Sequence, residues 1–458
     1  MSKQILIVLG ILLIFGCADV SKENQLQTGC SEGSESTPEN VYLSPEPTPE
    51  PTPEPTVTYW TKQFGSSGED SATGITTDSS GNIYVTGHTR GSLDGYTSSG
   101  NSDLFVIKYN SSGIKQWTQQ ISSSPAGTLS QGIATGNSGT FYVAGSTLGS
   151  FPGNTNSGGW DPFVMNFADN GTRQWTRQLG TSADESTQGV TTDASGNVYI
   201  TGNTKGNFDS NTNSGGNDLF VVKYNSSGVK QWTRQLGTSN SEYAIEVTTD
   251  SNNNIYVTGY TLGGLDGNTN AGGDDVFIVK YNSSGTKQWT RQLGTSNSDV
   301  GHDIAVDSSG NVYITGNTNG SLVAGVGSGW EYFVAKYDSS GVQQWIQQSE
   351  TSGSTWGGGI AVDSSGSVYI TGNTEGNLDG NTNAGNNDII LVKYNSSGTK
   401  QWTKQLGTSA DDYGTSITFD SSNYFYVTGY TRGGLDGNTN AGSTDVFIVK
   451  YDSDGNRQ

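Results

Sequence analysis

Residues 232–288 read WTRQLGTSNSEYAIEVTTDSNNNIYVTGYTLGGLDGNTNAGGDDVFIVKYNSSGTKQ. Four short runs, WTRQLG, AIEVTTD, IYVTGYT and DVFIVKY, are rich in Val, Ile, Thr, Tyr and Phe. Gly, Asn, Ser and Asp cluster between them, the residues that tolerate or cap tight turns. None of the runs has the length or the 3.6-residue period of a helix. The stretch therefore reads as four β-strands, and it is one copy of seven. Trp recurs as Trp60, Trp117, Trp175, Trp232, Trp289, Trp345 and Trp402, at intervals of 56 to 58 residues. Four strands per repeat, seven times over, predict an all-β fold: a seven-bladed β-propeller of four-stranded antiparallel blades.

The two ends of the repeat array predict how the ring closes. The chain stops at Asn456-Arg457-Gln458, just short of the Trp that follows this segment in every earlier copy. The missing strand stands at the other end, as Tyr59-Trp60-Thr61-Lys62-Gln63. This N-terminal strand is expected to complete the last blade and remove a free sheet edge. Within each copy, a Tyr (Tyr84 in the first, Tyr426 in the last) is followed three residues later by Gly. The aromatic suits packing between sheets, and the Gly suits a bulge or a close backbone approach. The Trp series is expected to pack between neighbouring blades.

Composition narrows the partners. Acidic residues number 43 and basic residues 22, a formal charge of −21. Phosphate backbones are bound through basic patches, so no nucleic acid partner is expected. Two Cys and two His leave no material for a zinc ribbon, a disulfide framework or a haem-attachment motif. Residues 1–16 carry Lys3 and then an apolar run from Ile5 to Phe15. That run is shorter than the ~20 residues of a membrane-spanning helix and fits a secretory signal. It ends in Ile14-Phe15-Gly16-Cys17, which resembles the lipobox of bacterial lipoproteins, with a bulkier residue than usual at Phe15. The resemblance implies acylation of Cys17 and a membrane anchor. Ala18 does not resemble an inner-membrane retention signal, which implies the outer membrane or the cell surface. Residues 17–56 then read as a disordered Pro/Glu/Thr-rich tether, with Pro at every second position from Pro45 to Pro55 favouring extended polyproline II. The propeller is placed at residues 57–458.

The segments GIAVDSSGSVYITGNT (359–374) and NDIILVKYNSSGTKQW (387–402) resemble the bacterial seven-bladed β-propeller repeat family, and the resemblance runs through all seven copies. It implies a propeller of exported or surface proteins, usually without an assigned activity. A weaker similarity is to the pyrroloquinoline-quinone-type repeat.

Alternate turns of a meandering sheet share a side, so each blade has a face of short turns and a face of long loops. Function tends to reside in long loops on a rigid scaffold, and the N-terminal strand starts at the short-turn face, so the long loops are expected to point away from the membrane. One long loop has a metal-like spacing: Asp266, Asn268, Asn270, Gly272 and Asp274 occupy alternate positions. Hard Ca²⁺ takes six to eight oxygens, and the spacing resembles the calcium loops of integrin-type propellers. The competing reading is a polar loop whose Asn and Asp side chains cap turns. The acidic residue that follows, Asp275 in this copy, recurs in all seven and reads as a structural hydrogen-bond acceptor. On the innermost strands Gly or Ser holds one position in five copies, whereas Glu246 and Asp303 occupy it in two adjacent ones, beside His302. Two carboxylates and an imidazole could do acid–base work or stand solvated at a channel wall. No P-loop, nucleophile-elbow or HExxH pattern occurs. The function expected is a binding, adhesion or protein-interaction platform for a protein or glycan ligand, without enzyme activity and without a firm cofactor. The alternative is a propeller lyase or hydrolase using Glu246, His302 and Asp303.

Overall fold

The inner strand of each repeat runs next to the inner strand of the following one, and the last of them, Asp412–Phe419, packs on the first, Asp70–Thr77. The result, in a computed structural model, is a closed ring of seven four-stranded sheets. The model describes residues 59–458 apart from 124, 125, 328 and 352. The signal segment, Cys17 and the tether lie outside the described residues. The compact unit around the ring is Val57–Gln458. No helix among the described residues is long and apolar enough to cross a membrane.

Every blade is an antiparallel meander. In the fourth, Glu242–Thr249, Ile255–Thr261, Asp275–Tyr281 and Lys287–Leu293 follow one another from axis to rim. The sequence pattern explains the depth of each strand. The second and third strands, such as IYVTGYT and DVFIVKY, are buried almost throughout because both faces of the sheet are covered by neighbouring blades. The outer strand KQWTRQL begins with two exposed residues. The chain therefore has seven inter-blade cores rather than one. In one of them Tyr199, Leu219 and Val221 of the third blade meet Val247, Val257 and Phe277 of the fourth.

Ring closure follows the predicted scheme, with one addition. Lys62–Phe64 pairs antiparallel with Asp445–Tyr451, Lys62 opposite Ile448. The addition is that the outer strand of the seventh blade is shared by both ends of the chain. Tyr451 pairs with Arg457, the Gln458 N–H bonds the Lys450 carbonyl at 3.0 Å, and the Trp60 N–H donates to the Gln458 carbonyl. Arg457, Gln458 and Trp60 thus stand in line as Lys115, Gln116 and Trp117 do in the first blade. Gln63 completes the likeness: its amide reaches Asp445 at 3.1 Å and the Gly433 carbonyl at 3.0 Å, as Gln292 reaches Asp275 and the Gly263 carbonyl.

The repeated Gly and Trp are scaffold. Each inner strand carries a bulge opposite the Gly of the second strand, as between Thr187 and Gly189 opposite Gly202. A side chain at Gly202 would collide with the Ser186 carbonyl. Each Trp lies against the turn glycine of the next blade, Trp175 on Gly228 and Trp60 on Gly113 across the closure. The Trp175 indole N–H also donates to the Ser226 carbonyl at 3.2 Å.

Candidate functional site

The inner strands decide what the axis looks like. Counting from the first residue, the blade-four strand reads Glu242, Tyr243, Ala244, Ile245, Glu246, Val247. The sixth residue is Ile or Val in every copy, from Ile75 to Ile417, and all seven are buried. They line a small chamber of about 170 Å³ on the short-turn side. The fourth residue of every inner strand, the second in blades one, six and seven and the fifth in blades four, five and seven line a larger cavity of about 560 Å³ on the long-loop side, so all seven blades contribute to its wall. Glu246 and Asp303 line both spaces, so they stand at the level where the two meet.

The larger cavity, or vestibule, has two unlike walls. Blades one to three present small and amide side chains: Ser71, Thr73, Gln131 and Gln188. Blades four to seven present Glu246, His302, Asp303, Trp356 and Tyr413. The rings of Tyr413 and Tyr430 stack at 4.8 Å with 26° between their planes. The Asn387 amide donates to the Tyr413 hydroxyl at 3.1 Å and fixes that ring. Glu375 adds a third carboxylate, and among the described residues no Lys or Arg lines the cavity.

The sequence-predicted trio Glu246, His302 and Asp303 does converge on this one cavity. His302 sits on the bulge, where register slips between Gly301 and Asp303. Asp303 accepts the Ile304 N–H at 2.7 Å and the Ile360 N–H of the next blade at 2.7 Å. Glu246 accepts the Val247 N–H at 2.9 Å through one oxygen. The other oxygen has no hydrogen-bond partner among the described residues. Burial, then the Asp303 charge, pushes the Glu246 carboxyl well above the usual carboxylate range. Burial likewise raises Asp303, against the pull of its two backbone donors. Burial lowers His302 to about 4, so it is neutral near pH 7. An ionised Asp303 makes Glu246 harder to ionise, so the neutral acid is favoured at Glu246.

The metal-like loop is put to other use. Asp266, at φ 53°, binds the Lys287 ammonium and the Thr290 hydroxyl. The cation facing it is thus a side chain from the same blade. Asn268 turns its amide N–H to the Leu265 carbonyl at 2.7 Å, and Asn270 donates to the Gly273 carbonyl at 3.0 Å and accepts the Gly272 N–H at 3.0 Å. Asp274 gives its backbone carbonyl to the Asp299 N–H at 2.7 Å. The side chains of Asp266, Asn268 and Asn270, read from the sequence as Ca²⁺ ligands or as turn caps, here cap the loop and latch it to the outer strand. The same latch recurs at Asp94, Asp209 and Asp379. At Asp436 its partners are Thr61 and Arg457, one from each end of the chain. The acid at Asp275 does act as the expected acceptor, taking the Ala271 N–H at 2.8 Å and the Gln292 amide at 2.9 Å.

Sequence reasoning passed over Trp356, Tyr413, Tyr430, Gln131 and Gln188. The signal was present: the copies agree at scaffold positions and disagree at the second, fourth and fifth residues of the inner strand. Those positions supply the vestibule wall, the fourth in every blade and the second and fifth in three blades each.

Comparison with known proteins agrees on the repeat. Six segments, residues 60–94, 174–209, 231–266, 288–322, 344–379 and 401–436, match the SBBP family, a β-propeller repeat. The copy beginning at Trp117 is not among them. An uncharacterized WD repeat-containing protein of Acanthamoeba polyphaga mimivirus is 27% identical over 49% of this chain. Regulatory protein FlaEY of Caulobacter vibrioides is 25% identical over 33% of it. The alignments span 18% of each of those relatives. Among solved structures, a puromycin hydrolase mutant is similar with a TM-score of 0.51 at 10% identity, over 88% of this chain and 56% of that one. An ulvan lyase, a polysaccharide lyase, gives 0.46 at 12% identity, over 85% and 95%. At such identities the likeness concerns the fold alone.

Proposed function

We propose that this propeller is a binding platform, held at the outer membrane or cell surface by an acylated Cys17, and that its ligand site is the axial vestibule. One observation carries the site: seven copies that agree at the scaffold positions diverge where they face the 560 Å³ cavity. Divergence among copies in one chain is not imposed by a strand order that all seven blades share, and a concave space with a few convergent polar groups is the usual form of a ligand site. The anchor rests on the short apolar run ending at Cys17.

The site is tested by using residues 57–458 as bait against cell-envelope extract. The double variant Trp356→Ala/Tyr413→Ala loses the captured ligand, whereas Val229→Asp, at an exposed short-turn position, retains it. Equal capture by both variants would move the site off the vestibule. The anchor is tested by Cys17→Ser, which is expected to shift the protein from the detergent phase to the aqueous phase. Recovery of the variant in membranes at wild-type yield would remove the anchor.

A second reading, acid–base chemistry on the bound ligand, is favoured by one observation: Glu246, His302 and Asp303 share the cavity, and the two carboxyls are raised toward the range where an acid is protonated near neutral pH. Turnover of the captured ligand that vanishes in Glu246→Gln, with binding retained, would establish it.

A further inference from the structure

We propose that the ligand of the vestibule is a saccharide without acidic groups, seated with a ring face on Trp356 and Tyr413. This rests on the vestibule being the ligand site and goes further by naming the ligand's chemistry.

Three features of the cavity carry the inference. The first is shape: the aromatics are half-buried within a recess of about 560 Å³ and not spread over a flat rim. That volume falls in the range of small-molecule sites, whereas protein partners cover broad surfaces. The second is the pairing of flat apolar faces with unused amides. Trp356 and the stacked Tyr413–Tyr430 pair supply surfaces for the C–H face of a pyranose ring. Across the cavity Gln131 makes no hydrogen bond among the described residues, and Gln188 makes one, to Ser186 at 2.8 Å. Amides can both donate and accept, as hydroxyl groups require. An apolar ligand would leave those amides unpaired, at a cost in affinity.

The third feature fixes the sign. Glu246, Asp303 and Glu375 face the cavity with no Lys or Arg beside them, and His302 is neutral near pH 7 because burial lowers it to about 4. A uronate or sulfate ester would add a further negative charge beside Glu375 and the Glu246–Asp303 pair, with no Lys or Arg among the lining residues to neutralise it. A neutral or amine-bearing sugar would not. Glu246 and Asp303 stand three residues further along their inner strands than Trp356 and Tyr413 do along theirs, roughly 7–10 Å deeper at the strand rise. A short oligosaccharide that enters past Trp356 therefore brings its innermost unit to Glu246 and Asp303.

Calorimetry with residues 57–458 tests this, using maltotetraose, N-acetylated chitotetraose, fully deacetylated chitotetraose and tetragalacturonate as probes. At least one of the first three is expected to bind, tetragalacturonate is not, and Trp356→Ala is expected to weaken binding tenfold or more at an unchanged melting temperature. Glu246→Gln/Asp303→Asn is expected to shrink the preference over tetragalacturonate by at least tenfold. Tighter binding of tetragalacturonate than of any other probe would overturn the sign. Silence of all four probes, with envelope capture still lost in Trp356→Ala/Tyr413→Ala, would overturn the saccharide and leave the site standing. Silence together with capture indifferent to those substitutions would remove both.

Discussion

The rim and the mouth of this propeller are built from the same seven sentences, yet they obey different rules. At the rim the copies repeat the same contacts: Trp on the next blade's Gly in all seven, Gln bridging loop and acid in six, and Asp latched to Thr and a Lys or Arg in five. At the mouth the same register positions hold Ser, Leu, Tyr, Val or Trp from one blade to the next. The Trp and Gly positions of the rim lie between blades, so a change there meets a neighbouring blade. The mouth positions face open space, so their side chains vary without disturbing the ring. Uniformity marks what the ring needs in order to close, and variety marks what it is free to use.

That contrast breaks if rim substitutions are tolerated or mouth substitutions unfold the protein. The largest effect is expected from removing residues 57–63. It strips Trp60 from Gly113 and from Tyr426, whose ring it meets edge-on at 5.5 Å, and takes Thr61 and Gln63 from Asp436 and Asp445. An open ring exposes a sheet edge, so the whole domain, not one blade, should lose its cooperative melt. An unchanged calorimetric transition for residues 64–458 would show that closure does not depend on this strand.

Next comes Gly202→Val. Its side chain would collide with the Ser186 carbonyl at the bulge, and overpacking of this kind in a strand centre costs about 3–4 kcal/mol. Chemical denaturation should show a lower midpoint; a loss below about 1 kcal/mol would mean that the bulge relaxes. Asp266→Ala should cost less, about 1–2 kcal/mol, because it removes a latch and places Ala at positive φ. The loss should be the same in millimolar Ca²⁺ and in chelator. A calcium-dependent rise in the wild-type melting temperature, absent in Asp266→Ala, would restore the metal reading.

The smallest effect has the opposite sign. Burial and the Asp303 charge raise Glu246, so the fold favours the neutral acid. That contribution is complete below the unfolded value of about 4 and is lost as pH rises through the raised one. Glu246→Gln is therefore expected to stabilise the protein at pH 8, by roughly 1–2 kcal/mol, and to match the wild type at pH 4. Destabilisation at pH 8 would mean that the carboxylate has a partner the mouth does not otherwise supply.

Much of the fold was legible because propeller rules are local and repeated. A Trp every 56 to 58 residues and four strand patterns between them fix blade number and strand order. The unmatched ends, Gln458 and Trp60, fix the closure. The Asp266 loop kept two readings open for a related reason: alternate oxygens along a chain are necessary for calcium but do not say where each oxygen points. Lys287, 21 residues away, competes for the same carboxylate, and a linear pattern does not display that competitor.

By itself, then, the sequence determined seven blades, their meander and the seam, since each depends on contacts within a repeat or between successive repeats. Only the tertiary structure decided that Glu246, His302, Asp303, Trp356 and Tyr413 share one cavity. They belong to four different copies, up to 170 residues apart, and meet because ring closure turns the same strand position of every copy toward a common axis. Periodicity reports what the copies have in common, and the cavity is made from what they do not.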